Sequence, residues 1–228
     1  MLILGIETTT KIGSVVIFDS EKGIISEITL QVKMNHSDTL IKEINSLFEF
    51  SGIKKEEIDK IAVGLGPGSF TGIRVGLGTA KGLAYSLKKP LVGINTLDTL
   101  VQNVSETDKI VIPLIDARKT RVYYSMYKYE NGAIKRIEEY GAEYLEKILE
   151  NCDLNEVILT GRGSVVYREF IKEKFGEKLN FTSLSNSFLR ASHLAELAIN
   201  KKEDNIYELE PFYLSKSQAE RMKIEKGE

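Results

Sequence analysis

The sequence predicts a mixed α/β protein made of two consecutive copies of a βββαβαβα unit, and two observations predict this fold class. First, a gapless register relates the two halves of the chain: Glu7 and Asp116 each end an apolar run and are 109 positions apart, and Gly23 and Gly132 keep the same spacing. Second, each half begins with β-rich runs and continues with alternating strand and helix patterns, an order typical of a mixed sheet with crossover helices. Internal repetition of this kind indicates a duplicated structural unit.

The first unit contains five predicted strands and three predicted helices. Strands are expected at residues 3–6, 14–18, 24–32, 60–65 and 91–94. Helices are expected around residues 40–48 and at residues 72–87 and 96–104. Lys22-Gly23 predicts a hairpin turn because glycine readily adopts a positive φ. The first helix is expected to end at Gly52 and to be capped by Asn35, Ser37 or Asp38. Its apolar face, at a 3.6-residue period, consists of Leu40, Ile41, Ile44, Leu47 and Phe48.

The second unit repeats this order with weaker signals. Strands are expected at residues 110–115, 121–127, 133–140, 156–160 and 179–181, and helices at residues 144–149, 164–175 and 191–200. Asn131-Gly132 predicts the matching hairpin turn. The predicted organisation is therefore an N-terminal lobe at 1–107, a C-terminal lobe at 108–214 and a charged tail at 215–228, with residues 211–214 packed on the rest of the chain.

Two tandem units of this order resemble the actin-like ATPase (ASKHA) superfamily, whose lobes have a ribonuclease-H-like topology and often bind nucleotide between them. The alternative is a coincidental register between two ordinary α/β halves. By this resemblance, Glu7, Thr8, Asp116 and Arg118 are candidate contacts for the cleft or for a nucleotide. Structural ion pairs at strand ends are the competing explanation for these residues.

The composition excludes several classes of protein. The chain has 31 Lys+Arg, 33 Asp+Glu, only 2 His and 1 Cys, which is too few imidazoles and thiols for an ordinary zinc or iron site. A net charge of −2 argues against a basic surface that binds nucleic acid directly. A single cysteine fits a reducing compartment, and neither a signal peptide nor a membrane-spanning run is recognisable, so a cytoplasmic location is expected.

Residues 66–84 contain six glycines and follow a predicted strand. The segment matches neither a Walker A motif nor a serine elbow. Gly72, Gly76 and Ala80 recur every four residues, which favours a seam of close helix packing over a phosphate cradle. The loop before the helix, residues 67–71, stays a candidate contact for an anion or a partner. Arg74 lies near the helix start, where a cation opposes the helix dipole, so it indicates a specific ion pair, an interface role or a solvated side chain.

Several motifs together resemble the TsaB (YeaZ) family. They are Leu4-Gly5-Ile6-Glu7-Thr8, Asn35-His36-Ser37, the string from Gly66 to Arg74, and Asp116-Ala117-Arg118 with Val122-Tyr123. The match covers about residues 2–214, and the string Gly-Pro-Gly-Ser-Phe-Thr-Gly-x-Arg is highly specific. In this sequence the motif loop comprises Gly66, Pro67, Gly68, Ser69, Thr71 and Arg74.

The resemblance implies a non-catalytic subunit that pairs with the metal-dependent transferase TsaD. That complex places threonylcarbamoyl on N6 of the adenosine beside the anticodon of ANN-decoding tRNAs. The resemblance further implies self-association when the chain is alone, a TsaE-like ATPase as a further partner, and indirect contact with tRNA. No catalytic residue, metal or cofactor of its own is expected. ATP or ADP is a candidate ligand at an interface within the complex, and the sequence leaves open whether nucleotide binds this chain.

The sister family TsaD also opens with Gly-Ile-Glu-Thr, whereas TsaB proteins more often have Asp-Thr-Ser at this point, so the first strand alone does not separate the two. TsaD proteins, however, carry a metal-binding His-x-x-x-His on the helix after the glycine loop. The corresponding helix here, residues 96–103, contains no histidine. The sequence therefore favours the subunit over the transferase.

The resemblance also assigns the first two helices to the partner interface. The candidate interface residues are Leu40, Ile41, Ile44, Leu47, Phe48, Gly72, Gly76, Ala80 and Leu83. The competing explanation is that this stripe packs on its own sheet. If the seam binds the partner, Gly76→Leu is expected to abolish that binding while the chain stays folded.

The remaining candidates carry weaker signals. His36 is expected near a helix cap and His193 within an ordinary helix. Tyr123, Tyr127 and Tyr129 share one strand face, which suggests either a base-stacking platform or, given the acidic pI, an ordinary sheet surface. The rival functions are an actin-like ATP-binding kinase or ATPase acting alone, for which the second half offers no clear adenosine motif, and a peptidase, for which no motif exists.

Overall fold

The computed structural model describes residues 1–31, 36–177 and 179–215. Its first sheet contains β1 (Leu2–Glu7), β2 (Ile12–Asp19), β3 (Gly23–Gln31), β4 (Lys60–Gly64) and β5 (Leu91–Ile94). The strands are ordered β3-β2-β1-β4-β5; the first three are antiparallel, and β4 and β5 run parallel to β1. Val32, which the sequence assigns to the third strand, lies outside the described residues.

Three helices belong to this unit in sequence, namely α1 (His36–Ser51), α2 (Phe70–Leu87) and α3 (Thr96–Val101). Gly52 follows α1 with φ +69°, and its N–H donates to the carbonyl of Phe48, so the predicted helix end is confirmed. The candidate cap Asn35 lies outside the described residues. Ser69 caps α2 by accepting a hydrogen bond from the Gly72 N–H.

The second sheet repeats the order of the first. It contains β6 (Ile110–Asp116), β7 (Arg121–Tyr124), β8 (Tyr127–Glu130), β9 (Ala133–Arg136), β10 (Gly141–Tyr144), β11 (Val157–Thr160) and β12 (Asn180–Phe181). Its main path is β10-β7-β6-β11-β12, and β8 and β9 form an additional hairpin beside β6. The predicted Asn131-Gly132 turn joins this hairpin, with φ values of +52° and +76°.

The hairpin corrects two predicted strands. Residues 121–127 do not form one strand, because the chain leaves β7 at Ser125, whose buried hydroxyl donates to the carbonyl of Glu138. Residues 133–140 likewise do not form one strand, because β9 ends at Arg136. The strand that pairs with the outer edge of β7 is β10. Local turn chemistry predicts the hairpin correctly, but it does not specify which later segment pairs with β7.

Four further helices follow, namely α4 (Leu145–Glu150), α5 (Arg162–Val166), α6 (Arg168–Phe175) and α7 (Ala191–Ala198). The single helix predicted at residues 164–175 is broken at Tyr167, which has φ −102° and ψ +15°. None of the helices in the described ranges is long and apolar enough to cross a membrane.

The third helices of the two units are exchanged between the sheets. Leu97 and Leu100 of α3 pack with Ile115 and Tyr123 of the second sheet. Leu194, Ala195 and other residues of α7 pack against the face of the first sheet that α1 and α2 leave uncovered. The sequence pattern places α7 with the second unit, and that expectation is wrong at the level of packing. Periodicity identifies an apolar helix face without identifying the sheet that the face covers.

A C-terminal strap, residues 211–215, joins the two lobes. The Phe212 N–H donates to the Leu65 carbonyl over 2.8 Å, and the Ser215 hydroxyl lies 2.6 Å from the Tyr123 hydroxyl. The predicted packing of residues 211–214 is therefore confirmed. The remainder of the predicted charged tail, residues 216–228, lies outside the described part of the chain.

Candidate functional site

A buried carboxyl group lies at the end of β1. Glu7 has no exposed surface; its Oε1 accepts hydrogen bonds from the Thr9 N–H at 2.7 Å and the Thr9 hydroxyl at 2.5 Å, while Oε2 has no partner among the described residues. Burial raises the pKa of Glu7 from 4.5 to about 7. Gly64 lies beside it on β4, where an added Cβ would collide with Oε2. The end of β1 therefore holds a packed carboxyl group that is closed to solvent.

The glycine seam of α2 packs on the neighbouring threonine. The Thr8 hydroxyl donates to the Gly72 carbonyl over 2.7 Å. A Cβ added at Gly72 would meet the carbonyl oxygen of Thr8, and one added at Gly76 would meet its hydroxyl. Close packing at the seam is thus confirmed, but its neighbour is the chain itself. As a correction, Gly76→Leu is now expected to disrupt folding, because the new side chain would enter an occupied space.

The apolar stripe of α1 is also internal. Leu40, Ile44, Leu47 and Phe48 are at most 7% exposed and belong, together with Ala80, to the core beneath α1 and α2. Among the candidate interface residues, only Ile41, which is 52% exposed, and the half-buried Leu83 are accessible. The other candidate interface residues are buried, as the competing explanation, packing on the chain's own sheet, predicts.

A different face of α2 is open to solvent. We define the outer face as Thr71, Arg74, Val75, Gly78, Gly82 and Tyr85; Tyr85 is 70% exposed, and Cβ atoms added at Gly78 or Gly82 would meet nothing within 4 Å. The six glycines thus include a buried pair, Gly72 and Gly76, and an exposed pair, Gly78 and Gly82. Sequence reasoning missed the exposed pair, although its four-residue spacing is equally visible.

The motif loop is occupied by contacts within the chain. The Ser69 N–H donates to the Thr9 carbonyl over 2.6 Å, and a Cβ at Gly68 would meet that same carbonyl. Gly66 has φ +103°, and a Cβ there would meet the Phe212 carbonyl of the strap. Gly66 and Pro67 are buried, whereas Ser69 and Thr71 are exposed. These contacts favour a packing role for the loop over a phosphate cradle.

Arg74 forms no ion pair with the described residues. No carboxylate lies within ion-pair distance of it in the described parts of the chain. Instead, its Cζ lies 3.8 Å from the centroid of the Phe70 ring, and its Nε donates to the Tyr213 hydroxyl over 3.1 Å.

The second lobe presents its acidic residue differently. Asp116 is exposed at the end of β6, where Oδ1 accepts hydrogen bonds from the Tyr167 hydroxyl at 2.5 Å and the Arg118 N–H at 2.7 Å. Arg118 has φ +71° and also lies at the surface. The hydrogen bonds of Glu7, Thr8 and Asp116 described above all stay within one lobe. Of the four candidate nucleotide contacts, Glu7 and Thr8 are therefore buried, whereas Asp116 and Arg118 are exposed.

The histidines and tyrosines form no site. Nε2 of His36 lies 2.6 Å from the Thr10 carbonyl at the start of α1, and burial lowers the pKa of His193 in α7. The described residues contain no group of three His, Cys, Asp or Glu side chains arranged to hold a metal ion. Tyr123 and Tyr127 are at most 9% exposed, so the base-stacking platform is wrong.

Solved structures place the fold in a known class. The chain is similar to an uncharacterized protein from Pseudomonas aeruginosa described as similar to peptidase YeaZ, with a TM-score of 0.78, 24% identity and coverage of 94% of this chain and 99% of that one. It is also similar to the ethanolamine utilization protein EutJ from Carboxydothermus hydrogenoformans, with a TM-score of 0.50, 12% identity and coverage of 86% and 89%. Together with the two sheets, these neighbours define an actin-like (ASKHA) fold, as predicted.

Sequence relatives narrow this class. A family model described as TsaD, tRNA N6-adenosine threonylcarbamoyltransferase, matches residues 14–227. The tRNA threonylcarbamoyladenosine biosynthesis protein TsaB of Bacillus subtilis is 31% identical over 99% of both chains. A tRNA N6-adenosine threonylcarbamoyltransferase from Persephonella marina is 27% identical, over 59% of this chain and 46% of the transferase. The chain belongs to the TsaB (YeaZ) family of tRNA threonylcarbamoyladenosine biosynthesis proteins.

Proposed function

We propose that this chain is the non-catalytic partner of a TsaD-like transferase and supports the transfer of threonylcarbamoyl from its adenylate to tRNA. The observation that carries the proposal is the outer face of α2. Tyr85 of α2 and Ile41 of α1 are each more than half exposed, and the Gly78 and Gly82 positions are open. Small residues beside exposed apolar ones allow another helix to approach closely, and aromatic residues are enriched at protein interfaces.

The chemistry of the described side chains supports a partner role over catalysis. The chain contains only two histidines, at opposite ends of the sequence, and α3 contains none. A metal-dependent transferase needs several ligands on neighbouring elements. We therefore assign the metal and the reacting groups to the partner subunit.

The proposal extends to cofactors and further partners. Because Glu7 and Thr8 are buried and hydrogen bonded, we expect no nucleotide site within this chain alone. ATP or ADP would bind only at an interface within the complex, where a TsaE-like ATPase also joins. In the absence of the transferase, the outer face would pair with a second copy of the chain.

The test compares two leucine substitutions on exposed helix positions. Gly78→Leu fills the outer face, and Glu173→Leu places the same side chain on α6 in the second lobe. Isothermal titration against the TsaD-like subunit should show a loss of affinity of about tenfold or more for Gly78→Leu alone. Its melting temperature should not fall, because leucine favours a helix more than glycine does.

Equal affinities of the wild type and Gly78→Leu would refute the proposed face. No binding by the wild type would refute the partner role itself.

A further inference from the structure

We propose that Arg74 is a preorganised anchor of the pairing surface and binds a carboxylate of the partner protein. This inference rests on the proposed function and adds to it the chemistry that the partner must present. It arises from an exposed arginine that is oriented within the chain but has no anion beside it among the described residues.

Two aromatic side chains orient the guanidinium group. Its Cζ lies 3.8 Å from the centroid of the Phe70 ring, and its Nε donates to the Tyr213 hydroxyl over 3.1 Å. The rings of Phe70 and Tyr213 are themselves stacked, with centroids 4.9 Å apart and planes 24° apart. A stacked guanidinium with one nitrogen already bonded loses less conformational freedom when it binds.

The strap holds the second aromatic residue in place. Phe212, directly before Tyr213, donates its N–H to the Leu65 carbonyl over 2.8 Å and packs edge-on against Tyr140 at a centroid distance of 5.4 Å. Two residues further on, Ser215 lies 2.6 Å from the Tyr123 hydroxyl. Tyr213 is therefore fixed by contacts to both lobes, and it fixes Arg74 in turn.

The terminal nitrogens of Arg74 remain available. Arg74 is exposed, and within residues 1–31, 36–177 and 179–215 its Nη atoms make no hydrogen bond or ion pair. It also lies in the first turns of α2, where the helix dipole disfavours a cation that has no anion beside it. A guanidinium fork matches a carboxylate in a bidentate geometry, which is how such an unpaired and oriented arginine binds most strongly.

The surroundings favour a protein carboxylate over a nucleic-acid phosphate. The other residues of the outer face, Thr71, Val75, Gly78, Gly82 and Tyr85, carry no charge. Binding of a nucleic-acid backbone requires several cations that neutralise successive phosphates. Arg74 and Lys81 are the only charged side chains of α2, which is too few cations for such a contact. An arginine beside apolar and aromatic residues is instead typical of an anchor in a protein interface.

The test uses the full chain and the TsaD-like subunit. Isothermal titration should show an affinity loss of about tenfold or more for Arg74→Ala. Arg74→Lys should lose about threefold or more, because an ammonium lacks the bidentate fork. Tyr213→Phe, which removes only the orienting hydrogen bond, should lose less than Arg74→Ala. The matched control is Arg162→Ala, an exposed arginine of the second lobe that should bind as the wild type does.

Three outcomes would overturn the inference. The first is an affinity of Arg74→Ala within about twofold of the wild type. The second is an equal loss for Tyr213→Phe and Arg74→Ala, which would give Arg74 only a role in holding the strap. The third, from a parallel titration of the same variants with tRNA, is a loss of tRNA binding without a loss of transferase binding. Absence of binding by the wild type differs from all three, because it refutes the proposed function and the inference with it.

Discussion

Glu7 and Asp116 occupy the same position in the two repeated units, but their surroundings are opposite. Glu7 is fully buried and bonded to its own neighbour Thr9, whereas Asp116 is exposed and bonded to Tyr167. Each acid ends the central strand of its sheet. The two units therefore share their strand order but differ in the surroundings of the central strand's end.

The position of the next helix explains the difference. In the first lobe, Gly68 and Gly72 pack against Thr9 and Thr8, beyond the acid, so the loop and helix cover it. In the second lobe, Gly163 of α5, the helix after β11, packs against Leu114, two residues before the acid. Close glycine packing occurs in both lobes, but it lies beyond the acid in the first lobe and before the acid in the second, and only the first strand end is closed.

The largest expected effect is at the closed end of the first lobe. Gly76→Leu should destabilise the chain by about 3 kcal/mol or more, because its side chain would displace Thr8. Gly78→Ala, on the same helix but with open space around it, should stabilise the chain by about 0.5–1 kcal/mol. Urea unfolding of both variants measures the difference. A stable Gly76→Leu would contradict the account of the seam.

The next effect depends on pH. Because the folded chain raises the pKa of Glu7 from 4.5 to about 7, its contribution to stability is fully present below pH 4.5 and is lost as the pH rises through about 7. The loss amounts to roughly 3 kcal/mol. Glu7→Gln should remove this part of the pH dependence. Unfolding free energies of both proteins from pH 4.5 to 8 provide the measurement, and parallel profiles would argue against the buried carboxyl group.

An intermediate effect is expected where the lobes meet. Asp98 of α3 accepts hydrogen bonds from the hydroxyls of Tyr127 and Tyr140, each over 2.7 Å. Asp98→Ala should cost about 2 kcal/mol, because it leaves the hydroxyl of the buried Tyr127 without its acceptor. Double variants with Tyr140→Phe should show non-additive unfolding free energies. Full additivity would mean that the two residues act independently.

The smallest effect belongs to the exposed acid of the second lobe. Asp116→Asn should change the free energy of unfolding by less than about 1 kcal/mol, because solvent can replace its hydrogen bonds. Thermal unfolding of Asp116→Asn and Glu7→Gln under the same conditions compares the two strand ends directly. A loss as large as that expected at the closed end would show that both strand ends are structurally equivalent.

Local signals predict much of this fold because they act over short distances. The Asn131-Gly132 turn, the Gly52 helix end and the close packing of Gly72 and Gly76 all follow from backbone freedom or side-chain size. Long-range choices leave no comparable signal. The sequence does not reveal which sheet α7 covers, or that Arg74 meets Tyr213, 139 positions away.

The candidate site shows the same limit. The first two helices are recognisable as an interface by resemblance, but amphipathic periodicity marks the face that packs inward. The accessible residues are therefore those that the pattern leaves out, among them Gly78, Gly82 and Tyr85. Hydrophobic periodicity detects apolar residues, so it does not detect an exposed glycine.

The most direct test of the central claim is reconstituted modification of tRNA by a purified TsaD-like transferase and the other components of the pathway. We predict that the wild-type chain forms no threonylcarbamoyladenosine alone, that adding it to the transferase raises the rate, and that Gly78→Leu lowers this gain about tenfold or more. Modification by the chain alone, or an equal gain with Gly78→Leu, would contradict a non-catalytic subunit that acts through the outer face of α2.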